Sequence, residues 1–491
     1  MKKTALVVGS GFGGIASALR LKALGYNVTL IERLDQVGGR ARVFKRSGYT
    51  FDAGPTVITA PFLFDELFNL FNKKREDYVK FIRLDPWYRF YFSENKKVFD
   101  YSDKIKKTES EIGKFNQNDI NGYRELLKFS EKIFNVGFSK LSFTPFHNFW
   151  FMIKQVPSLF FLKSYLSVFK LVGKFIKNKQ LRQALSIQPL LLGGNPITTT
   201  SIYNLIHYLE RKWGVHYALG GTGKLVSALE QLMREEKITI KKNSEVKKIL
   251  THNNKVIGVQ VKKKNYYAEK VIVNADPAYT YKYLLDNQYN KKWSSKKINK
   301  LDFSMGLFVI YFGTKKKYKN IAHHTIWMGK RYEGLLKDIF KKQILADDFS
   351  LYLHRPTATD ESMAPKGCDC FYVLSPVPNL KGKIDWTNKA EDYKDKILSA
   401  LEQSILPDLT KNLDVCFYMT PLDFKNDYLS LNGTGFSISP IFKQSAWFRF
   451  HNKSENFDNL YFAGAGSHPG AGVPGVISSA KVIENLILNE A

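Results

Sequence analysis

Thr4-Ala-Leu-Val-Val-Gly9-Ser-Gly11-Phe-Gly-Gly14 is the stretch on which the fold class turns. Residues 4–8 are a short apolar run rich in β-branched side chains, as expected of a strand buried in a parallel sheet. The glycines that follow fall at the spacing G-x-G-x-x-G. Gly9 permits a tight turn, Gly11 lets the backbone approach a pyrophosphate, and Gly14 lets helix and strand pack closely. Beyond Gly14, Ile15, Leu19 and Leu24 fall on or near one helical face, and Gly25 is a stop signal. The N–H groups and positive dipole end of such a helix suit a diphosphate. Residues 28–31 read as a second strand, ended by Glu32 near the spacing at which a carboxylate meets a ribose hydroxyl. A carboxylate there disfavours a 2′-phosphate. Strand, glycine turn, helix, strand and acid, in that order, predict an α/β chain with a Rossmann-like dinucleotide-binding domain.

NAD and FAD share these features, so the residues beyond them must decide. Gly38-Gly39-Arg40 offers further N–H groups and a guanidinium, whose planar fork suits phosphate oxygens. Phe51-Asp-Ala-Gly54-Pro55-Thr56 is an apolar-to-glycine turn of the sort that lies against a flat ring. The run 459–481 then adds a second element of the same kind at the far end of the chain. Residues 460–463 read as a buried strand, and Gly464, Gly466, Gly470, Gly472 and Gly475 punctuate the turn after it. Pro474 fits a first helical turn, where its missing N–H costs nothing. Gly475 and Val476 would present N–H groups at that helix start, and a positive helix end stabilises negative charge on a reduced flavin. Two such elements at opposite ends of one chain point to a flavin held along its whole length.

Further motifs carry a resemblance. They are Phe51-Asp-Ala-Gly-Pro-Thr-Val-Ile-Thr59, Leu190-Leu-Leu-Gly-Gly-Asn-Pro196, Gly220-Gly-Thr-Gly223, Ala322-His323-His324-Thr325, Asp348-Phe-Ser-Leu-Tyr-Leu-His354, Gln444-Ser-Ala-Trp-Phe448 and His468-Pro-Gly-Ala-Gly-Val-Pro474. With these the chain resembles the bacterial-type phytoene desaturases of the FAD-dependent amine-oxidase-like superfamily, over essentially its whole length. The resemblance implies an FAD enzyme that introduces double bonds into a long polyene, one hydride passing to the flavin and one proton elsewhere. The substrate it implies is 15-cis-phytoene, with neurosporene or lycopene as product. Relatives of similar sequence act on other carotenoids, or as isomerases or ketolases. By the same resemblance the Val246 backbone meets the adenine. A single Rossmann fingerprint leaves no second nicotinamide site, so oxygen or a membrane quinone is expected to take the electrons rather than NAD.

The flavin-binding domain is expected to be discontinuous, from residues 1–80, 215–285 and 435–491. Residues 81–214 and 286–434 would form an inserted, mixed-sheet substrate domain. Within it, strands are expected at 303–312, 349–354, 371–374 and 415–419, and a helix at 385–406. In the flavin part, 246–250 and 256–262 read as a hairpin around the Asn-rich turn 252–255.

Three cysteines, Cys368, Cys370 and Cys416, rule out a disulfide framework and suggest a reducing compartment. No metal-ligand spacing stands out, and no metal is expected. Met1-Lys2-Lys3 is followed by too few apolar residues for a leader's hydrophobic segment. No run of about 18 apolar residues occurs, so no spanning helix is expected. A net charge of +29 with no nucleic-acid-reading signature argues against nucleic acid as partner. It fits either a Lys- and Asn-rich compositional bias or attraction to anionic lipid headgroups.

Residues 143–177 bear on the second reading. They carry Phe146, Phe149, Trp150, Phe151, Phe160, Phe161, Tyr165 and Phe169, interrupted by Pro157. After the proline, Leu162, Leu166, Phe169, Val172 and Ile176 lie at helical spacing, with Lys163, Lys170, Lys174 and Lys177 on another side. Such a basic amphipathic helix lies in a membrane interface or packs on the rest of the protein. A forty-carbon hydrocarbon leaving a bilayer for water would lose roughly 0.8 kcal/mol per CH2, tens of kcal/mol in all. An enzyme for that substrate must collect it at the membrane, which predicts a cytoplasmic protein peripherally attached to the inner face.

No Ser/His/Asp order and no paired-carboxylate motif is present, which leaves the redox chemistry to the cofactor. His324, Glu210, Arg211 and Asp52 are candidates for taking the proton, and no one of them is singled out by sequence.

Overall fold

The structure, a computed structural model, describes residues 3–286 and 292–490. Met1 and Lys2, on which the leader reading began, and the parts of the expected domain ranges at 287–291 and 491 lie outside the described residues.

Strand Thr4–Val8 lies in the centre of a five-stranded, wholly parallel sheet. Asn27–Ile31 and Lys270–Val273 flank it, with Thr239–Lys241 and Leu460–Phe462 at the edges. Val7, Leu30, Ile272 and Phe462 are at most 1% exposed, because helices cover one face, the antiparallel strands Val246–His252 and Lys255–Val261 pack on the other, and the strands are mostly apolar. Helices Phe12–Ala23, Gly221–Glu235 and Val473–Leu488 join one core with the sheet through Ile15, Leu19, Leu229 and Ile483.

The second sheet has seven strands in the order Leu413–Met419, Gly306–Thr314, Asp369–Val377, Leu351–His354, His324–Met328, Tyr88–Phe92 and Lys97–Tyr101. Every neighbouring pair is antiparallel except His324–Met328 with Tyr88–Phe92. Gly306–Thr314 is buried at every residue. Phe308, Ile310 and Phe312 face helix Trp386–Glu402, while Leu307, Val309 and Tyr311 face Phe51 and Tyr372 on the side of the cavity described below. The Asp385 carboxylate caps that helix by accepting from the Thr387 and Asn388 N–H groups.

The hairpin expected at 246–262 is Val246–His252 with Lys255–Val261. The four strands expected in the substrate part all form, with shifted ends. Strands Tyr88–Phe92 and Lys97–Tyr101, to which the sequence reading assigned no element, belong to the same sheet.

Residues 143–177 correct the sequence reading. The continuous amphipathic helix expected after Pro157 is broken, because one helix ends at Phe161 and the next runs Val168–Phe175. In the second, Val168, Leu171 and Val172 are buried against the protein, so its apolar face is already covered. The exposed apolar surface lies instead on the first helix, Phe149–Phe161, which contains Pro157. Trp150, Phe160 and Phe161 are 71%, 65% and 79% exposed there. No helix among the described residues is long and apolar enough to cross a membrane.

Candidate active site

One cavity of about 570 Å³ runs between the two sheets, lined mainly by apolar side chains. At one end stand the glycine turns. Gly9 has φ +91° and its N–H donates to Ile31 O at 2.8 Å, which fixes the turn. Gly11, Gly39 and Asn274 crowd together: a Cβ on Gly11 would lie 2.8 Å from Asn274 Nδ2, and one on Gly39 would lie 3.2 Å from Gly11 Cα. Any side chain at these positions would occupy the wall of the cavity or displace it. Gly14 and Gly466 are absent from the lining. A Cβ on Gly14 would sit 2.0 Å from Gly9 O, and one on Gly466 would sit 2.4 Å from Pro277 Cδ, so both positions serve close packing behind the wall.

Glu32 is buried at the end of its strand. Its Oε2 accepts from the Ser10 N–H and Oγ–H at 2.8 and 2.5 Å, and its Oε1 from the Leu34 N–H at 2.8 Å. Val246 lines the cavity beside it. Arg40 Nη2 donates to Ser430 Oγ at 2.8 Å, while its buried Nε has no partner. Burial lowers the Arg40 pKa, and the Asp276 carboxylate opposes that shift.

The helices starting at Phe12 and Val473 both open onto the cavity through Gly11 and Gly472. Neither has a side-chain cap or an acidic residue in its first turn. The N-terminal N–H groups are therefore available to an anion. Two uncapped helix ends, a glycine wall that no side chain can share and an unpartnered buried guanidinium N–H are what a dinucleotide cofactor requires, so the residues present fit FAD.

The Gly54-Pro55-Thr56 turn forms the next part of the wall. Tyr372 OH donates to Gly54 O at 3.1 Å, Thr222 Oγ1 to Pro55 O at 2.9 Å, and Tyr311 OH to Ala53 O at 3.1 Å. Thr56 Oγ1 is hydrogen-bonded to both Tyr352 OH and Tyr372 OH at 3.0 Å. A Cβ on Gly54 would lie 2.1 Å from Arg40 O. These tyrosines come from strands Leu351–His354 and Asp369–Val377, and no local sequence pattern links them to residue 56.

Of the four proton-acceptor candidates, Glu210 lines the cavity and the other three do not. It is fully buried on helix Leu205–Trp213, with Tyr88 OH donating to its Oε1 at 2.8 Å and Oε2 left without a partner. Burial pushes its pKa up to about 7, against the Tyr88 hydrogen bond and the Arg211 charge, which favour the carboxylate. Arg211 turns away: its guanidinium donates to Tyr123 OH, Ser102 O, Asp103 O and Thr108 Oγ1 and lies over the Trp87 ring. His324 sits one hydrogen bond behind the wall, its Nδ1 2.7 Å from Tyr352 OH. Asp52 is buried beneath the same turn.

The cavity is also lined by Leu141, Phe146, Met152, Leu159, Leu205 and Phe442. Met152 and Leu159 belong to helix Phe149–Phe161, the helix whose outer face exposes Trp150, Phe160 and Phe161.

Residues 12–482 match the family described as flavin containing amine oxidoreductase. The chain is 43% identical over 490 residues to the phytoene desaturase (lycopene-forming) of Pantoea ananas, spanning 99% of each chain. It is 41% identical over 490 residues to the phytoene desaturase (neurosporene-forming) of Rhodobacter capsulatus, spanning 98% of this chain and 93% of that one. An oxidoreductase from Methanosarcina mazei superposes with a TM-score of 0.67 at 17% identity, over 98% of this chain and 100% of that one, which shows the shared fold. A glycine cradle for FAD, an apolar cavity joined to it and similarity along the full length lead to one assignment: the chain is an FAD-dependent oxidoreductase of the flavin containing amine oxidoreductase family and belongs to the bacterial-type phytoene desaturases.

Proposed function

We propose that this chain is a carotenoid desaturase that converts 15-cis-phytoene by successive dehydrogenations to neurosporene or lycopene. It would work at the cytoplasmic face of a membrane bearing anionic lipid. The observation that carries the reading is the apolar cavity, which joins the glycine cradle to a helix with an exposed aromatic face. A long hydrocarbon needs both a long apolar channel and an entrance that opens toward lipid.

The flavin-holding part is residues 1–80, 215–285 and 435–491, and the substrate part 81–214 and 286–434. The diphosphate would be held by the N–H groups around Gly9, Gly11 and Gly39 and by Arg40, the ribose by Glu32, and the adenine by the Val246 backbone. Gly54, Pro55 and Thr56 would lie against the ring system. Gly475 and Val476, with the uncapped helix end, would face its electron-rich edge, while Gly14 and Gly466 keep the strands and turns close enough to build the cradle. When bound, FAD supplies the two-electron oxidant that takes a hydride from the substrate, and oxygen or a quinone takes the electrons onward.

The chain's own part is to bind, orient and deprotonate. Apolar side chains along the cavity exclude water and hold the polyene extended. Glu210 takes the proton from the carbon next to the one that loses hydride, and the electron pair of that C–H bond becomes the new double bond. Its free Oε2 is an open acceptor, and Tyr88 keeps its protonated O–H to hold Oε1. A carboxylate titrating near 7 suits a general base working at neutral pH.

Incubation of purified protein with FAD and phytoene in anionic liposomes tests the reading. Products lighter by successive pairs of hydrogens, absorbing at longer wavelength, are expected. Unchanged phytoene with FAD demonstrably bound would overturn the substrate assignment.

A further inference from the structure

Behind the Gly54–Thr56 turn lies a group of side chains that the desaturation chemistry does not use. His324 and His354 are directly opposed on adjacent antiparallel strands, and His323 precedes the first of them. Asp52 closes strand Tyr49–Asp52 beside them, its Oδ2 3.8 Å from His354 Nε2. All four residues are at most 5% exposed.

Their hydrogen bonding leaves one side of each ring open. His323 Nδ1 lies 2.7 Å from Thr359 Oγ1 and His324 Nδ1 2.7 Å from Tyr352 OH. His323 Nε2, His324 Nε2 and His354 Nδ1 have no hydrogen-bond partner, and His354 Nε2 and Asp52 Oδ2 face each other at 3.8 Å without a hydrogen bond, although each is sealed from solvent. The potential ligand atoms of the three imidazoles all lie within 4.8 Å of one another, the one cluster of this kind among the described residues. Orphaned polar atoms are disfavoured one at a time, and five in one buried volume call for a missing partner.

We propose that His323, His324 and His354, assisted by Asp52, bind a divalent transition-metal ion of the zinc class. Imidazole nitrogens and a carboxylate are the donor set such ions prefer. Metal-ligating histidines ordinarily tie their second ring nitrogen to a hydroxyl, carbonyl or carboxylate, as His323 and His324 do here. Ligation at about 2.1 Å asks each ring to move inward by less than about an ångström. Arg355, the nearest cation, directs its guanidinium to Tyr318 O and Ile321 O and to Asp369.

The ion's role is structural. It would pin strands His324–Met328 and Leu351–His354 to the end of Tyr49–Asp52. Through the His324–Tyr352–Thr56 hydrogen bonds it would stiffen the cavity wall.

Untagged, FAD-loaded protein purified without chelator should carry about one equivalent of metal per chain by elemental analysis. Stripping it should lower the unfolding temperature, and added Zn2+ should restore it. Co2+ should give the visible bands of a nitrogen-ligated site. His354→Gln and Asp52→Asn each keep the FAD spectrum, and His354→Gln loses the metal. Metal below about a tenth of an equivalent, together with no thermal response to Zn2+, would overturn the proposal. So would metal retained undiminished in folded His354→Gln. Metal content is read independently of desaturation, so this test can fail while the proposed activity stands.

Discussion

Replacing Glu210 by Gln should make the protein more stable and nearly inactive. Gln keeps the volume and still accepts the Tyr88 hydrogen bond, so the change removes only the titrating oxygen. The carboxyl is buried and its pKa lies at about 7 against an ordinary 4.5, a rise of about 2.5 units. At about 1.36 kcal/mol per unit this amounts to about 3 kcal/mol. The folded state holds the proton more tightly than the unfolded chain. Wild-type stability is therefore undiminished below pH 4.5, falls as pH rises from 4.5 to 7, and stays about 3 kcal/mol lower above that. The variant should lack this loss, so it exceeds the wild type increasingly above pH 4.5 and by the full gap above about pH 7. With an unfolding entropy of about 2.1 cal/mol/K per residue, the gap corresponds to a melting shift of about 3 °C. A general base contributes roughly 10²- to 10⁴-fold, so desaturation should fall by that factor, and the wild-type rate should climb with pH through about 7. The assays are thermal unfolding across pH and product analysis in phytoene-loaded liposomes. A variant that retains FAD and works within a factor of ten of wild type would refute the assignment, as would a wild-type rate flat across neutrality.

Three other outcomes are expected. Replacing Trp150, Phe160 and Phe161 together by Ser should abolish sedimentation with anionic liposomes while leaving FAD bound, because each exposed aromatic contributes roughly 1.5–3 kcal/mol when buried in lipid. Gly14→Ala places a methyl 2.0 Å from Gly9 O and should destabilise the protein by about 1–3 kcal/mol, read in the unfolding midpoint, with loss of bound flavin. Glu32→Ala should weaken FAD by roughly tenfold or more in flavin titration, since one acceptor is lost and the Ser10 and Leu34 donors are left unpaired; unchanged affinity would remove Glu32 from the cofactor site.

Local pattern carried the parallel sheet. Residues 4–8 and 28–31 are short, mostly apolar runs, and such runs form buried strands wherever other elements cover both faces. The mixed sheet was legible only in part. Tyr88–Phe92 and Lys97–Tyr101 pair through a sheet whose other strands are more than 200 residues away, and nothing local marks that partnership. The alternative left open at residues 162–176, membrane interface or packing on the protein, has the same cause. Helical spacing records an apolar face but not what covers it, and here the protein itself covers Leu171 and Val172.

The site divides along the same line. Sequence alone picked out the glycine turns, because a backbone that must approach a diphosphate imposes glycine spacing, and the structure places Gly9, Gly11, Gly39, Glu32 and Arg40 on the cavity wall. Tertiary structure alone decided which acid faces the cavity. Glu210 and Arg211 are neighbours on one helix, but successive residues turn about 100° apart, so Glu210 points into the cavity and Arg211 into the wall. It also gathered Asp52, His323, His324 and His354 at one point, because strand pairing sets distance in space without regard to distance along the chain.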